Sequence, residues 1–168
     1  MEKQDTARWR CHYKLSKYQQ DIEPHRGREH EFYRLFKPYE VIEGKGNCLL
    51  NSGIDEMWDL ITGVSSNYYN NASAQIGVGD SSAAADPGQT DLQAATNKTY
   101  KGMESGYPIS TSQKITLKSS FASSEANYAW NEWVVKQSTS AICLNRKVES
   151  LGTKTSGTWT LEVTITLS

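Results

Sequence analysis

Residues 126–135 read Ala-Asn-Tyr-Ala-Trp-Asn-Glu-Trp-Val-Val, and residues 158–168 read Thr-Trp-Thr-Leu-Glu-Val-Thr-Ile-Thr-Leu-Ser. The second stretch alternates without error. Trp159, Leu161, Val163, Ile165 and Leu167 face one way, and Thr158, Thr160, Glu162, Thr164 and Thr166 the other. Period-two alternation of β-branched and apolar residues is the pattern of a half-buried strand. The first stretch, from Tyr128 to Val135, is apolar on both faces and is expected to be an interior strand. Glu132 breaks its pattern, because simple alternation places it on the face of Trp130 and Val134. A carboxylate on an apolar face must be paired, hydrogen-bonded or protonated. Over 142–148, alternation puts Arg146 with Ile142, Leu144 and Val148, which predicts a Glu132–Arg146 ion pair, within the chain or across a subunit boundary. A catalytic role for Glu132 is the alternative.

Working outward, further strands are expected at Ala74–Asp80, at Gln113–Phe121 with Ile115, Leu117 and Phe121 facing inward, and at Ser140–Leu151, with a hairpin loop over Gly152–Gly157. One helix is expected over Ser52–Thr62. Asn51 or Ser52 would cap it, Asp55, Glu56 and Asp59 favour its N-terminal half, and Gly63 ends it. Its Ile54, Met57, Trp58 and Ile61 stripe predicts packing on the sheet. Residues 81–112 read as a long loop with a possible helical turn at Thr90–Ala95; loops of that length are uncommon and often functional.

The 168 residues suit one domain with an appendage, and the net charge of −1 argues against a nucleic-acid or anionic-membrane partner. Charge is unevenly spread: residues 1–46 hold 18 of the 37 charged side chains and all three histidines. A boundary is therefore expected near Gly44-Lys45-Gly46, dividing a 1–46 arm from a 47–168 β domain. Within the arm, Trp9, Cys11, Tyr13 and Leu15 alternate with Arg8, Arg10, His12 and Lys14, which is strand periodicity. Gln19–Glu31 reads as exposed loop, and Phe32–Tyr39 as an aromatic cluster. Two readings stay open: an extra edge strand on the main domain, or an arm anchored on a neighbouring subunit through aromatics and arginines.

No catalytic, cofactor or metal constellation is expected. Gly77-Val78-Gly79-Asp80 lacks the third glycine and the following helix of a dinucleotide fingerprint. Cys11, His12, His25, His30 and Cys48 lack zinc-ligand spacing, and Cys143 sits in a strand with every histidine remote in sequence. Three widely spaced cysteines read as reduced thiols of a protein made in a cytosol. No signal peptide or membrane-length apolar run is seen, so the sequons at Asn71 and Asn97 are read as chance matches.

Several fragments together resemble a small β domain common in tailed-bacteriophage virion proteins. They are Asn47–Gly53, Trp58–Gly63, Ile76–Asp80, Ala126–Val135 with its Asn-Glu-Trp centre, Leu144–Val148, and Thr158 to the end. The likeness covers residues 47–168. It implies an all-β sandwich or barrel, β-tulip-like, with one packed helix and an extended N-terminal arm. It also implies a non-enzymatic capsid decoration (cement) protein, often a homo-trimer, that binds the major capsid protein on the virion surface. Trp9, Tyr13, Phe32, Tyr33, Phe36 and Tyr39 would then anchor the arm, and Arg8, Arg10, Arg26, Arg28 and Arg34 would meet acidic coat patches. Deleting residues 1–46 is expected to leave a folded domain that no longer binds capsids. A tail, baseplate or fibre component is the runner-up. A host-surface or glycan-binding module using the 81–112 loop and Tyr68-Tyr69 is the reading from another class.

Overall fold

Two antiparallel five-stranded sheets face one another across an apolar core in the computed structural model, which describes residues 7–168. The first sheet contains β1 (Trp9–Tyr18), β2 (Glu40–Lys45), β6 (Ile109–Thr111), β7 (Lys114–Phe121) and β10 (Thr158–Leu167), in the order β2-β1-β10-β7-β6. The second contains β3 (Cys48–Leu49), β4 (Ala74–Gly79), β5 (Lys98–Gly102), β8 (Ala129–Gln137) and β9 (Cys143–Thr153), in the order β3-β9-β8-β4-β5. The fold is therefore an all-β sandwich, and the inward set of β10 is the one its alternation requires: Trp159, Leu161, Val163 and Ile165 are all buried. They meet Tyr13, Leu15, Leu117 and Phe121 of their own sheet and Ile76, Val78, Trp130, Trp133 and Val135 of the other. Edge-on aromatic pairs knit the layers, with ring centroids 4.8 Å apart for Phe121–Trp130 and 5.6 Å for Tyr13–Trp133.

The expected arm is corrected over its described part. Strand β1 pairs with β10 along its whole length, from Trp9 opposite Leu167 to Tyr18 opposite Thr158, and with β2 on its other side. It is an interior strand, and Tyr13 and Leu15 belong to the core. Residues 9–45 are thus part of the sandwich, and no boundary falls at Gly44–Gly46. The charge that suggested an appendage sits on the solvent face of β1 (Arg10, His12, Lys14) and in the crossover that follows it. The beginning of the arm, residues 1–6, lies outside the described residues. Arg8 and Ser168 exchange backbone hydrogen bonds of 2.7 and 3.2 Å, so the two ends of the described chain are neighbours.

The crossover from β1 to β2 is not loop throughout. It forms a 3₁₀ turn at Glu23–His25 and a second helix, α1 (Glu29–Leu35). Phe32 of α1 is fully buried against Tyr18, Ile22 and Ala122, with Tyr33 and Phe36 beside it, so the aromatic cluster roofs part of the first sheet.

Helix α2 (Asn51–Thr62) ends at Gly63, whose φ of +74 is left-handed. Leu50 occupies its N-cap without a side-chain bond, so neither Asn51 nor Ser52 caps it. The expected packing stripe holds for Met57, which packs against the core, and is corrected for Trp58 and Ile61. Gly53 and Glu56 are the buried positions, while Trp58 and Ile61 are 61% and 74% exposed. Gly53 explains the choice of face: a Cβ there would collide with the backbone of Leu144, so only glycine lets the helix lie this close to β9.

Register shifts correct the facing of Glu132. From Trp130 to Glu132, β8 advances two residues while its partner β9 advances four, from Gly152 to Val148. This irregularity switches the side-chain parity. Trp130, Trp133 and Val135 point into the core, whereas Glu132 and Val134 point to the outer face of the second sheet. A second shift between Val135 and Lys136 has the same consequence for β9, where Leu144 packs in the core while Cys143 and Arg146 lie outside. There the side-chain Oδ1 of buried Asn145 accepts the backbone N–H of Val135 at 3.1 Å.

Candidate functional site

Residues 81–112 do not form one open loop: they contain β5 and β6, and Thr90–Ala95 is not helical. Residues 83–94 cross the outer face of the second sheet as a strap, over a small cluster of Leu50, Leu92, Val134 and Cys143. The structure brings Glu132 and Arg146 together beneath it, both fully buried, with Arg146 Nε donating to Glu132 Oε2 at 2.7 Å. The remaining Arg146 donors reach Gln89 Oε1 (2.9 Å) and the carbonyls of Ala83 (2.9 Å) and Ala84 (3.3 Å). Glu132 also accepts the backbone N–H groups of Gln93 (3.0 Å) and Ala94 (2.8 Å). Each buried charge is compensated by its partner and by strap backbone, so the pair acts as a bolt holding the strap on the sheet. The carboxylate sits where a Cβ on Gly79 would otherwise be. Gly77 likewise leaves room for the Tyr100 ring, so the Gly77-Val78-Gly79 run serves packing.

The strap has a second clasp. Asp91 bonds Lys136 Nζ at 2.5 Å and the Tyr100 hydroxyl at 2.6 Å, and Lys136 lies 4.3 Å from the Tyr100 ring centroid. Burial opposes ionisation of Asp91, but the hydrogen bonds from Lys136 and Tyr100 outweigh it and hold the carboxyl below its usual range.

Of the eleven expected anchors, the structure leaves few free. Tyr13 and Phe32 are core residues. Tyr33 is half-buried, its hydroxyl bonded to Glu104 and Ser120, and Phe36 packs against Phe32, with ring centroids 5.1 Å apart. Trp9 donates its indole N–H to Asn47 Oδ1 at 2.9 Å. Tyr39, Arg8, Arg10 and Arg34 remain exposed. Arg26 is occupied by Glu23 and Glu125, and Arg28 by Glu31. The expected anchors therefore do not converge on one surface.

A different surface does. The end of the sandwich beside Trp9 carries an apolar groove of about 490 Å³, walled by Met57 and Leu60 of α2, Ile115 of β7, Ile165 of β10 and Tyr69. Next to it stand Trp58, Ile61, Val64 and Tyr68, each more than half exposed. Contiguous apolar exposure of this kind marks an interaction site. Arg10 and Lys114 flank the same end, each paired with Thr166 on the solvent face of the first sheet. The exposure of Trp58 and Ile61 escapes a sequence reading that assigns the whole α2 stripe to the core. Gly53 within the helix is the available signal, because it marks a close backbone contact on a face turned away from Trp58.

Among the described residues no group of three His, Cys, Asp or Glu side chains has metal-binding geometry, and no helix is long and apolar enough to cross a membrane. Cys11, Cys48 and Cys143 are free thiols, and burial pushes the Cys11 thiol up to about 12. No protein-family model, curated protein or solved structure matches the chain.

Proposed function

We propose that the chain is a non-enzymatic structural protein of a tailed-phage virion. It binds the assembled head as a decoration protein and stabilises junctions between major capsid protein subunits. The observation that carries the docking part is the apolar end face of α2 and its groove; the virion part rests on the sequence resemblance over 47–168. In this reading Trp58 and Ile61 take the anchoring role expected of the arm aromatics, and Arg10 and Lys114 meet acidic coat groups at the rim. A ligand that binds only the assembled shell lowers its free energy through every occupied site, and a trimer would add avidity by touching several subunits at once.

Cosedimentation of the full chain with purified heads tests this reading. Wild type should pellet with heads, and Trp58→Ser combined with Ile61→Ser should weaken binding by on the order of thirtyfold, the effect of losing a hot spot worth about 2 kcal/mol. Both side chains are exposed, so the variant should melt as wild type does. Undiminished binding rejects this face as the contact. Failure to pellet with heads rejects decoration, and binding to isolated tails instead assigns the chain to the tail.

A further inference from the structure

Strand β1 runs roughly 30 Å from the groove to the opposite end of the sandwich, ten residues at about 3.3 Å each. At that far end a second concavity of about 370 Å³ opens between the start of β2 and the β9–β10 hairpin. The hairpin is held with unusual firmness. Lys154, fully buried, turns back beneath it and donates to the carbonyl of Ala122 (2.7 Å), Asn127 Oδ1 (2.9 Å) and the carbonyl of Ser123 (3.4 Å). No carboxylate lies within ion-pair distance of it among the described residues. Burial accordingly drives the ammonium down to about 8. At Gly157 (φ +68) the backbone N–H bonds Ser123 Oγ at 3.1 Å, and a Cβ would run into the carbonyl of Tyr18. Burying a lysine against neutral oxygens opposes stability. What the arrangement achieves is a surface turn fixed in one shape, as a binding loop needs to be.

The fixed turn presents Thr153, Thr155 and Ser156 to the concavity, and Gln19 faces them from the end of β1. None of these four side chains is hydrogen-bonded to another described residue. Hydroxyl and amide groups both donate and accept, so together they offer a dense, uncharged set of partners. Tyr39, 56% exposed, supplies a flat apolar face at the mouth, with Tyr18 and Trp159 deeper in. The nearest charges cancel: Lys17 Nζ, 4.3 Å from the Trp159 ring centroid, is paired with Glu40 at 2.7 Å. The volume falls at the small end of the range for small-molecule sites, about 300–1,000 Å³. A ligand matched to this lining carries many hydroxyls, no net charge, and an apolar C–H face to lie on an aromatic ring. We propose that the concavity of Tyr39, Gln19, Thr153, Thr155 and Ser156 is a binding site for a neutral saccharide unit. It does not depend on the head-binding reading.

Saturation-transfer difference NMR on the full chain tests the site, with the methyl glycosides of glucose, galactose, mannose, rhamnose and N-acetylglucosamine as probes. At least one probe should receive transfer. Tyr39→Ala and Thr155→Val, both at exposed positions, should each reduce that probe's affinity at least tenfold, while Trp58→Ser at the far end leaves it unchanged. Melting curves of the three variants confirm that they remain folded. Absence of transfer to all five probes overturns the proposal. So does transfer that survives Tyr39→Ala and Thr155→Val, or that Trp58→Ser removes.

Discussion

Arg146 directs its guanidinium donors to Glu132, Gln89 and the backbone of the strap. Truncating one member of such a pair leaves the other charge buried without compensation. Arg146→Met should therefore destabilise by about 3–5 kcal/mol in urea denaturation, and adding Glu132→Gln should restore part of the loss. An unchanged midpoint would show that water reaches the site. Lys154 poses the opposite case, a buried charge with no carboxylate within ion-pair distance among the described residues. Its folded-state value near 8 lies below its unfolded value, so between those two the unfolded chain binds more protons and stability rises with pH. Wild type should gain stability relative to Lys154→Met as pH climbs from about 8 to about 10.5, read as melting temperatures over that window. A flat difference would mean that the ammonium is unperturbed. At this scale the sequence was informative: an acid out of pattern in one strand and a base in the next name each other. The face they occupy was not legible, because the register shifts that invert it leave no mark in local composition.

At the scale of elements, the charge-rich N-terminal segment carries the clearest lesson. Its Trp9–Leu15 alternation is a strand signal as good as that of β10, yet the charge density around it suggested an appendage. Alternation reports the local conformation, whereas membership of a sheet depends on pairing with residues about 150 positions away, which no local pattern encodes. Removing residues 1–46 should therefore not yield a folded truncated domain. It takes away an interior strand and exposes Leu161 and Val163, so circular dichroism and NMR dispersion should both show an unfolded chain. A dispersed spectrum would restore the arm as an independent unit. Helix α2 shows the same limit in reverse. Its existence and its glycine stop were legible, but its apolar stripe does not announce whether it faces the chain's own core or a partner.

For the molecule as a whole, the all-β class followed from periodicity, while the pairing of first strand with last did not. Neither concavity was legible in advance. The groove is assembled from α2, β7, β10 and Tyr69, and the polar concavity from the end of β1, the start of β2 and the β9–β10 hairpin. Surfaces built from segments so far apart in the chain appear only once the strands are in register. Their placement at opposite ends of one rigid sandwich gives the molecule two poles. In the proposed reading, the end that docks is not the end that presents hydroxyls outward.

The backbone bonds between Arg8 and Ser168 bear on how the molecule can be rebuilt. A short linker from Ser168 to the start of the described chain would close it into a ring without disturbing β1 or β10, and the exposed turn at 138–141 offers a place to open new ends. In the natural order, a segment fused after Ser168 emerges beside the groove, where, in the proposed reading, it would obstruct docking. Ends opened at 138–141 would emerge at the same pole, next to Ile142, whose carbonyl accepts the hydroxyl of Tyr69 in the groove wall, so display calls for ends opened at the far pole instead.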